Sequence, residues 1–473
     1  MASAQKKIQH LFLRAGFGET PDRITSLVNA PINSIVDGLF ESSRDYKDID
    51  YLPYPLKENE EEKGVGGFKL IKMFLKSFGE MEELNGEWLF KMTYTEAVLR
   101  EKMTFFWHNH FSTSTPLAYL MQVQNNTLRS NALGKFGDLL NAIAKDPAMI
   151  IYLNNQQNKK EHPNENFARE VMELFTLGVG HYSEKDIKEA ARAFTGWEVN
   201  GKGEFTFNEK VHDSDEKEFL GQKGNFKGED ILNIILSNKQ VAVFICTKIY
   251  REFVNQNVNT ERVQTLADGF FASGYDISAL MRQIFTSDWF YDDENIGAKV
   301  CSPVELIVRF KKLVGIDTKN KKTLIDVQKA LGQVLFFPPN VAGWKGGNTW
   351  IDSTSLLLRL SMPFYIIRGE GIKIKSKPHF EENPEDAPPP NEERGKIESD
   401  WTALNSAFKN LPAESQMESM LEYFIQCNTS RIDINLLKTS WTNSDKPALT
   451  GTGGDNLTLS MAAIMSLPEF QLI

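Results

Sequence analysis

Apolar residues in the first half of the chain recur at intervals of three and four, the period of an amphipathic helix, and strand-like alternation is scarce. Ile24, Leu27, Ile32, Ile35, Val36 and Leu39 form one such region, and Phe68 to Phe78 another. The pattern predicts a third helix from Trp88 to Phe106, with Leu89, Phe90, Met92, Val98, Leu99 and Met103 on its apolar side, and a fourth from Leu117 through Leu128. Between them, His, Asn, Ser and Thr replace the apolar period from Trp107 to Thr115, ahead of Pro116, which predicts a polar loop. Ser183-Glu-Lys-Asp186 fits a capping box, so a helix is expected from Glu184 to Phe194, stopped by Gly196. Phe205, Phe207, Val211, Phe219 and Leu220 then lie among glycines and charges, which predicts one small β-hairpin near 203–221 before helices resume at about Asp230. The expected fold class is therefore mainly α, a globular multi-helix architecture without internal repeats.

From Ser376 to Asp400 prolines and acidic residues take over, a composition that buries little apolar area and predicts an exposed, disordered insertion. It divides the chain into a helical core over 1–375, the insertion over 376–400, and a helical segment over 401–473 that packs on the core. That last segment holds expected helices at Ala403–Leu411, Gln416–Ile425 and Leu457–Met465, and a glycine-rich turn at Gly451–Gly454.

Composition narrows the function classes. With 63 acidic and 53 basic residues the net charge is -10, and no basic stripe reverses it locally, so nucleic acid is not an expected partner. Cys246, Cys301 and Cys427 are far apart, fit no metal spacing and leave an odd thiol over, which predicts buried free cysteines. No apolar run is long enough to span a bilayer and the first residues lack the apolar core of a secretory signal, so the chain as given reads as cytoplasmic; one trimmed of such a signal would read the same.

One stretch departs from an ordinary core helix: Pro163-Asn-Glu-Asn-Phe-Ala-Arg-Glu-Val-Met-Glu-Leu-Phe-Thr-Leu-Gly178 packs charges and amides into the first turns of an apolar helix. With Asn164 as cap, Arg169, Glu170 and Glu173 fall along one edge, Glu173 three residues from Glu170 and four from Arg169. Either Arg169 pairs with Glu173 and Glu165 in a structural ion network, or the edge belongs to a site. His108 and His110, two apart, point the same way on an extended loop and diverge on a helix. On a loop they can join Glu170 around zinc, manganese or iron, with Glu173 as general base for hydrolysis. Their structural alternative is capping a helix C-terminus.

A metal-free alternative keeps Glu170 and Glu173 as a glycosidase-like carboxylate pair, with Arg169 as the objection because a nearby cation holds both ionised, which moves the acid elsewhere, to Asp213 or Glu189. Asn164 and Asn166, with Trp197 and Trp344, are the candidate substrate contacts; tryptophan can stack on sugar rings, though in helical proteins it is more often core. His212 and Asp213, near Lys217, read either as a proton relay or anion contact, or as a surface turn. Gly343-Trp-Lys-Gly-Gly347 lacks phosphate-loop spacing, and no Gly-x-Ser-x-Gly elbow occurs.

Eight segments together resemble one bacterial family, domain-of-unknown-function family 1800. They are His10–Gly18, Phe106–Phe111, Pro163–Glu170, Met172–Gly178, Ala193–Trp197, His212-Asp213 with Phe219–Gly221, Pro338–Trp344 and Ser466–Leu472. The resemblance spans nearly the whole chain and raises the site reading of His212-Asp213, but it implies no reaction. Its members resemble exported proteins encoded beside sulfatase-like relatives, which implies envelope or extracellular polymers; this chain departs by showing no export signal. The expected function is a hydrolase on a polymeric or sugar-containing substrate such as a polysaccharide, possible metal assistance included. Its alternative is a non-catalytic binding or assembly protein with a structural polar core, in which the insertion near Pro388 meets a protein partner.

Overall fold

The computed structural model describes residues 2–53, 67–318, 322–369, 397–432 and 456–473. Among them are twenty α-helices and two two-stranded antiparallel sheets, so the protein is mainly α. Helices α1 to α3 occupy Ala4–Ala15, Pro21–Leu27 and Ile32–Ser42, so the first periodic region is two helices separated at Pro31. The predicted Trp88–Phe106 helix is divided: α4 runs Gly67–Tyr94 and α5 Val98–His110. The polar loop is a correction as well, because α5 continues through the histidines and the chain leaves it only at Phe111. His108, Asn109 and His110 are engaged by other segments, and those contacts hold them in helical geometry, whereas Ser112 to Thr115 do lie in a loop.

Next come α6 (Ala118–Asn131), α7 (Phe136–Ala144), α8 (Pro147–Tyr152) and α9 (Asn166–Glu170), the last continuing as a π-helix over Val171–Thr176. The Ser183–Asp186 capping box is present and opens α10 (Glu184–Ala193). Where one hairpin was expected there are two: β1 (Trp197–Val199) with β2 (Phe205–Phe207), and β3 (Lys217–Phe219) with β4 (Gln222–Gly224). Leu220 and Gly221 form the second turn, both with positive φ, the conformation that matches strand twist in a two-residue hairpin loop.

Helices α11 to α17 follow at Gly228–Leu236, Gln240–Phe253, Thr260–Ala272, Ile277–Thr286, Pro303–Val314, Lys322–Leu331 and Ser353–Arg368. The C-terminal segment contributes α18 (Thr402–Lys409), α19 (Ala413–Phe424) and α20 (Asn456–Met465), close to the expected spans. Most of the acidic insertion and the 451–454 turn lie outside the described residues. Buried apolar side chains from Ile8 to Ile473 form one contiguous cluster, in which Phe470 meets both Phe310 and Phe424. Buried charge is paired within it: Glu101 accepts from Trp88 Nε1 at 2.9 Å and from Arg129 Nε at 2.6 Å. Among the described residues no single helix is long and apolar enough to cross a membrane.

Candidate functional site

Helix α5 ends by presenting three consecutive side chains to three different places. His108 Nε2 accepts from the backbone N–H of Phe336 at 3.2 Å, its ring wedged between Trp88, Phe336 and Trp344. Burial alone pushes its pKa down to about 3, so the ring is neutral. Asn109 pairs with the backbone of Trp344, its Oδ1 accepting from N at 2.8 Å and its Nδ2 donating to O at 3.2 Å. His110 turns toward the π-helix: Nε2 bonds Phe175 O at 3.1 Å, while Nδ1 lies 3.1 Å from Lys248 Nζ on α12. Because a carbonyl only accepts and an ammonium only donates, Nε2 carries the proton and Nδ1 accepts. Burial, then the Lys248 charge, hold His110 well below the usual histidine range.

This arrangement follows from how the π-helix ends. Its five-residue repeat joins Leu177 N to Met172 O at 2.9 Å, and Thr176 Oγ1 covers Val171 O at 2.6 Å. The carbonyls of the last turn have no helical partner, so they need donors from elsewhere. Lys248 supplies one to Leu174 O at 3.0 Å, His110 one to Phe175 O, and Gln240 one to Leu177 O at 3.2 Å. The histidine pair is therefore not a ligand pair. On a helix the two rings diverge, both nitrogens of His110 are bonded to protein, and the set His108, His110 and Glu170 does not assemble. Among the described residues no group of three or more His, Cys, Asp or Glu side chains could hold a metal ion.

At the other end of this segment, Asn164 does not cap the helix from the position expected. Its Oδ1 accepts from Asn166 N at 3.0 Å and its own N donates to Asn158 Oδ1 at 2.9 Å, so the helix begins at Asn166, which is exposed. Arg169 pairs with Glu165 as expected, but its second partner is Glu184 on α10, at 2.9 Å through both Nη1 and Nη2, rather than Glu173. Glu173 instead accepts from Tyr182 Oη at 2.9 Å. Glu170 is left half-buried, and among the described residues its carboxylate enters no hydrogen bond or ion pair. Burial, then the neighbouring Glu173, push its pKa up, partly offset by Arg169. Tyr152 closes the group, its own pKa raised by burial and by Glu170.

The remaining candidates are structural in their contacts. His212 is buried with Nδ1 2.9 Å from Thr195 O, and Asp213 faces Arg192, not His212, at 2.7 Å from Nε and 3.2 Å from Nη2. Burial would raise the Asp213 carboxyl, but Arg192 and the Asp215 N–H outweigh it and hold it below the usual range. Arg192 also bonds Glu189, and Lys217 donates to Asp213 O at 2.6 Å, which fastens the β3–β4 hairpin to α10. Trp197 is packed among Phe167, Phe194 and Phe205 at 1% exposure, and Trp344 is 7% exposed against His108. Both rings are thus packed as core residues, the alternative weighed against sugar stacking.

Sequence reasoning missed Lys248, Tyr182 and Tyr152. Lys248 lies in a different helix with no motif around it, so no spacing signal could have found it; Tyr182, nine residues beyond Glu173, is reached only because the chain turns at Gly178 and Gly180, both with positive φ. Two clefts of about 450 and 480 Å³ open elsewhere, one between α2, α3 and the α4–α5 turn, the other between the N-terminus and α19; neither is lined by Glu170 or Glu173.

No curated protein and no solved structure matches the chain. The family described as "Protein of unknown function (DUF1800)" matches it over residues 10–472, and the motif segments whose contacts are set out above all fall within that span. The chain belongs to that family.

Proposed function

We propose that the protein is a metal-independent hydrolase whose acid–base pair is Glu170 and Glu173, acting on a glycosidic bond of a sugar-containing polymer. The observation that carries this reading is Glu170: a half-buried carboxyl beside a second carboxylate, bonded to neither a cation nor a donor among the described residues. A purely structural network would pair it, as Arg169 and Arg192 are paired. Arg169, the earlier objection, has its guanidinium turned to Glu184.

Protonated Glu170 gives its proton to the leaving oxygen as the C–O bond breaks. Glu173, oriented by Tyr182, takes the proton of the attacking water as the new C–O bond forms. The chain's charge of -10 disfavours polyanionic substrates, so neutral or basic polysaccharides come first. A reducing-end assay on such polymers should give turnover that falls about 100-fold or more in Glu170→Gln and Glu173→Gln while both variants stay folded. Turnover that persists in both variants contradicts the assignment.

A second reading is favoured by a different observation. His108, Asn109, His110 and His212 each bond the backbone of a distant segment, which is the behaviour of a structural polar core in a binding or assembly protein. Retention of a polysaccharide without hydrolysis, unaffected by Glu170→Gln, supports this reading over the first.

A further inference from the structure

Around Glu305 and Cys301 the interior carries more positive charge than its carboxylates balance. Arg14, Lys102, Lys299, Arg309 and Arg359 are all buried, Arg14 and Arg359 at 0% exposure. Their acidic partners among the described residues are Glu305, paired with Lys102 and Lys299, and Glu252, paired with Lys299. Glu305 also acts at a distance on Arg14 and Arg359. Cys301 lies among Lys299, Arg309 and Arg359 and adds no charge, because burial pushes its thiol up to about 11. Two side-chain carboxylates thus answer Lys102, Lys299, Arg14 and Arg359, while Arg309 is met by the Phe424 and Phe470 carbonyls, and an unbalanced ion where water is excluded is strongly unfavourable.

Hydrogen bonding falls short in the same direction. Arg14 donates through Nη2 to Asn295 O at 3.0 Å, but Nε and Nη1 have no protein partner. One turn earlier on the same face of α1, His10 is also at 0% exposure. Neither of its ring nitrogens makes a hydrogen bond of ordinary geometry, although the Phe290 backbone lies close enough to favour the protonated ring. Burial and then Arg14 keep the ring neutral, so it offers one N–H. The Arg14 groups left over are all donors. Water could accept from them, but only an anion also answers the charge.

We infer that a small monovalent inorganic anion, chloride first, binds inside the protein against the Arg14 guanidinium and within reach of His10. This site is separate from Glu170 and does not depend on the proposed activity.

Crystals of the full chain grown in sodium bromide, measured at the bromine absorption edge, should show an anomalous peak at hydrogen-bonding distance from Arg14. Peaks confined to surface lysines, or water alone beside Arg14, overturn the inference. In solution, replacing gluconate by chloride at constant ionic strength should raise the wild-type Tm saturably, by about 3 °C at a hundredfold excess over Kd, and leave Arg14→Met unmoved. An equal response in both proteins overturns it. Should Arg14→Met fail to fold, the bromide measurement decides alone.

Discussion

His110 donates through Nε2 to the carbonyl of Phe175 at 3.1 Å and accepts Lys248 on Nδ1, so one imidazole joins α5, the π-helix and α12. His110→Leu strands a buried carbonyl and removes a partner of a buried ammonium; urea unfolding should show a loss of about 2–3 kcal/mol. His108→Leu leaves only the Phe336 N–H unmet and should cost about 1–2 kcal/mol. Dialysis against a chelator should leave the unfolding midpoint of the wild type unchanged, because both His110 nitrogens are bonded to protein.

Gly343 closes against Asn109. Its φ is +74°, and an added Cβ would meet Asn109 Oδ1 at 2.3 Å, Asn109 O at 2.5 Å and Ser112 Oγ at 2.6 Å. Two of these three neighbours are fixed, one by the backbone and one by the Trp344 N–H, so they have little room to give. Gly343→Ala should therefore destabilise by about 3 kcal/mol, measurable as a lowered Tm, whereas Gly346→Ala, which meets no neighbour within 4 Å, should cost less.

Lys248 makes stability depend on alkaline pH. Burial, then Arg251, push its pKa from 10.5 down to about 8 in the folded protein. Between these values the unfolded chain binds more protons than the folded one, so stability rises with pH across that window. Below it both states are protonated and the burial penalty is complete. Lys248→Met lacks this contribution, so the stability of wild type relative to the variant should climb from pH 8 to 10.5. Parallel profiles would mean that Lys248 is ordinarily solvated.

Periodicity made the helical class, the Ser183 capping box and the ends of the late helices readable, since each rests on neighbours within a turn or two. What stayed hidden depends on contacts far apart in sequence. The polar run at 107–115 looks like a loop, yet His108 and Asn109 are held by residues more than 200 positions away, and those bonds keep α5 helical to His110. Arg169 could reach Glu165 or Glu173 by spacing, and α10, readable as a helix but not as a neighbour of Arg169, decides for Glu165 and Glu184. The π-turn at 171–176 has no local signature; it is recognised from the donors that gather at its end.

Glu170→Gln should separate stability from activity. The folded-state pKa of Glu170 lies above the ordinary 4.5, so the folded protein binds more protons than the unfolded chain and stability falls as pH rises through that window. The amide removes this cost. At pH 7 the variant should unfold at the wild-type temperature or higher while hydrolysis is lost.

The acid–base pair is tested most directly by the titration of Glu170 itself, followed by ¹³C NMR of its side-chain carboxyl with Glu170→Gln to assign the signal. Its midpoint should lie above the ordinary carboxylate range and move down in Glu173→Gln, where the neighbouring negative charge is gone. A midpoint at the ordinary value, or one indifferent to Glu173→Gln, contradicts the pairing of the two carboxyls and leaves the structural polar core as the account of this helix.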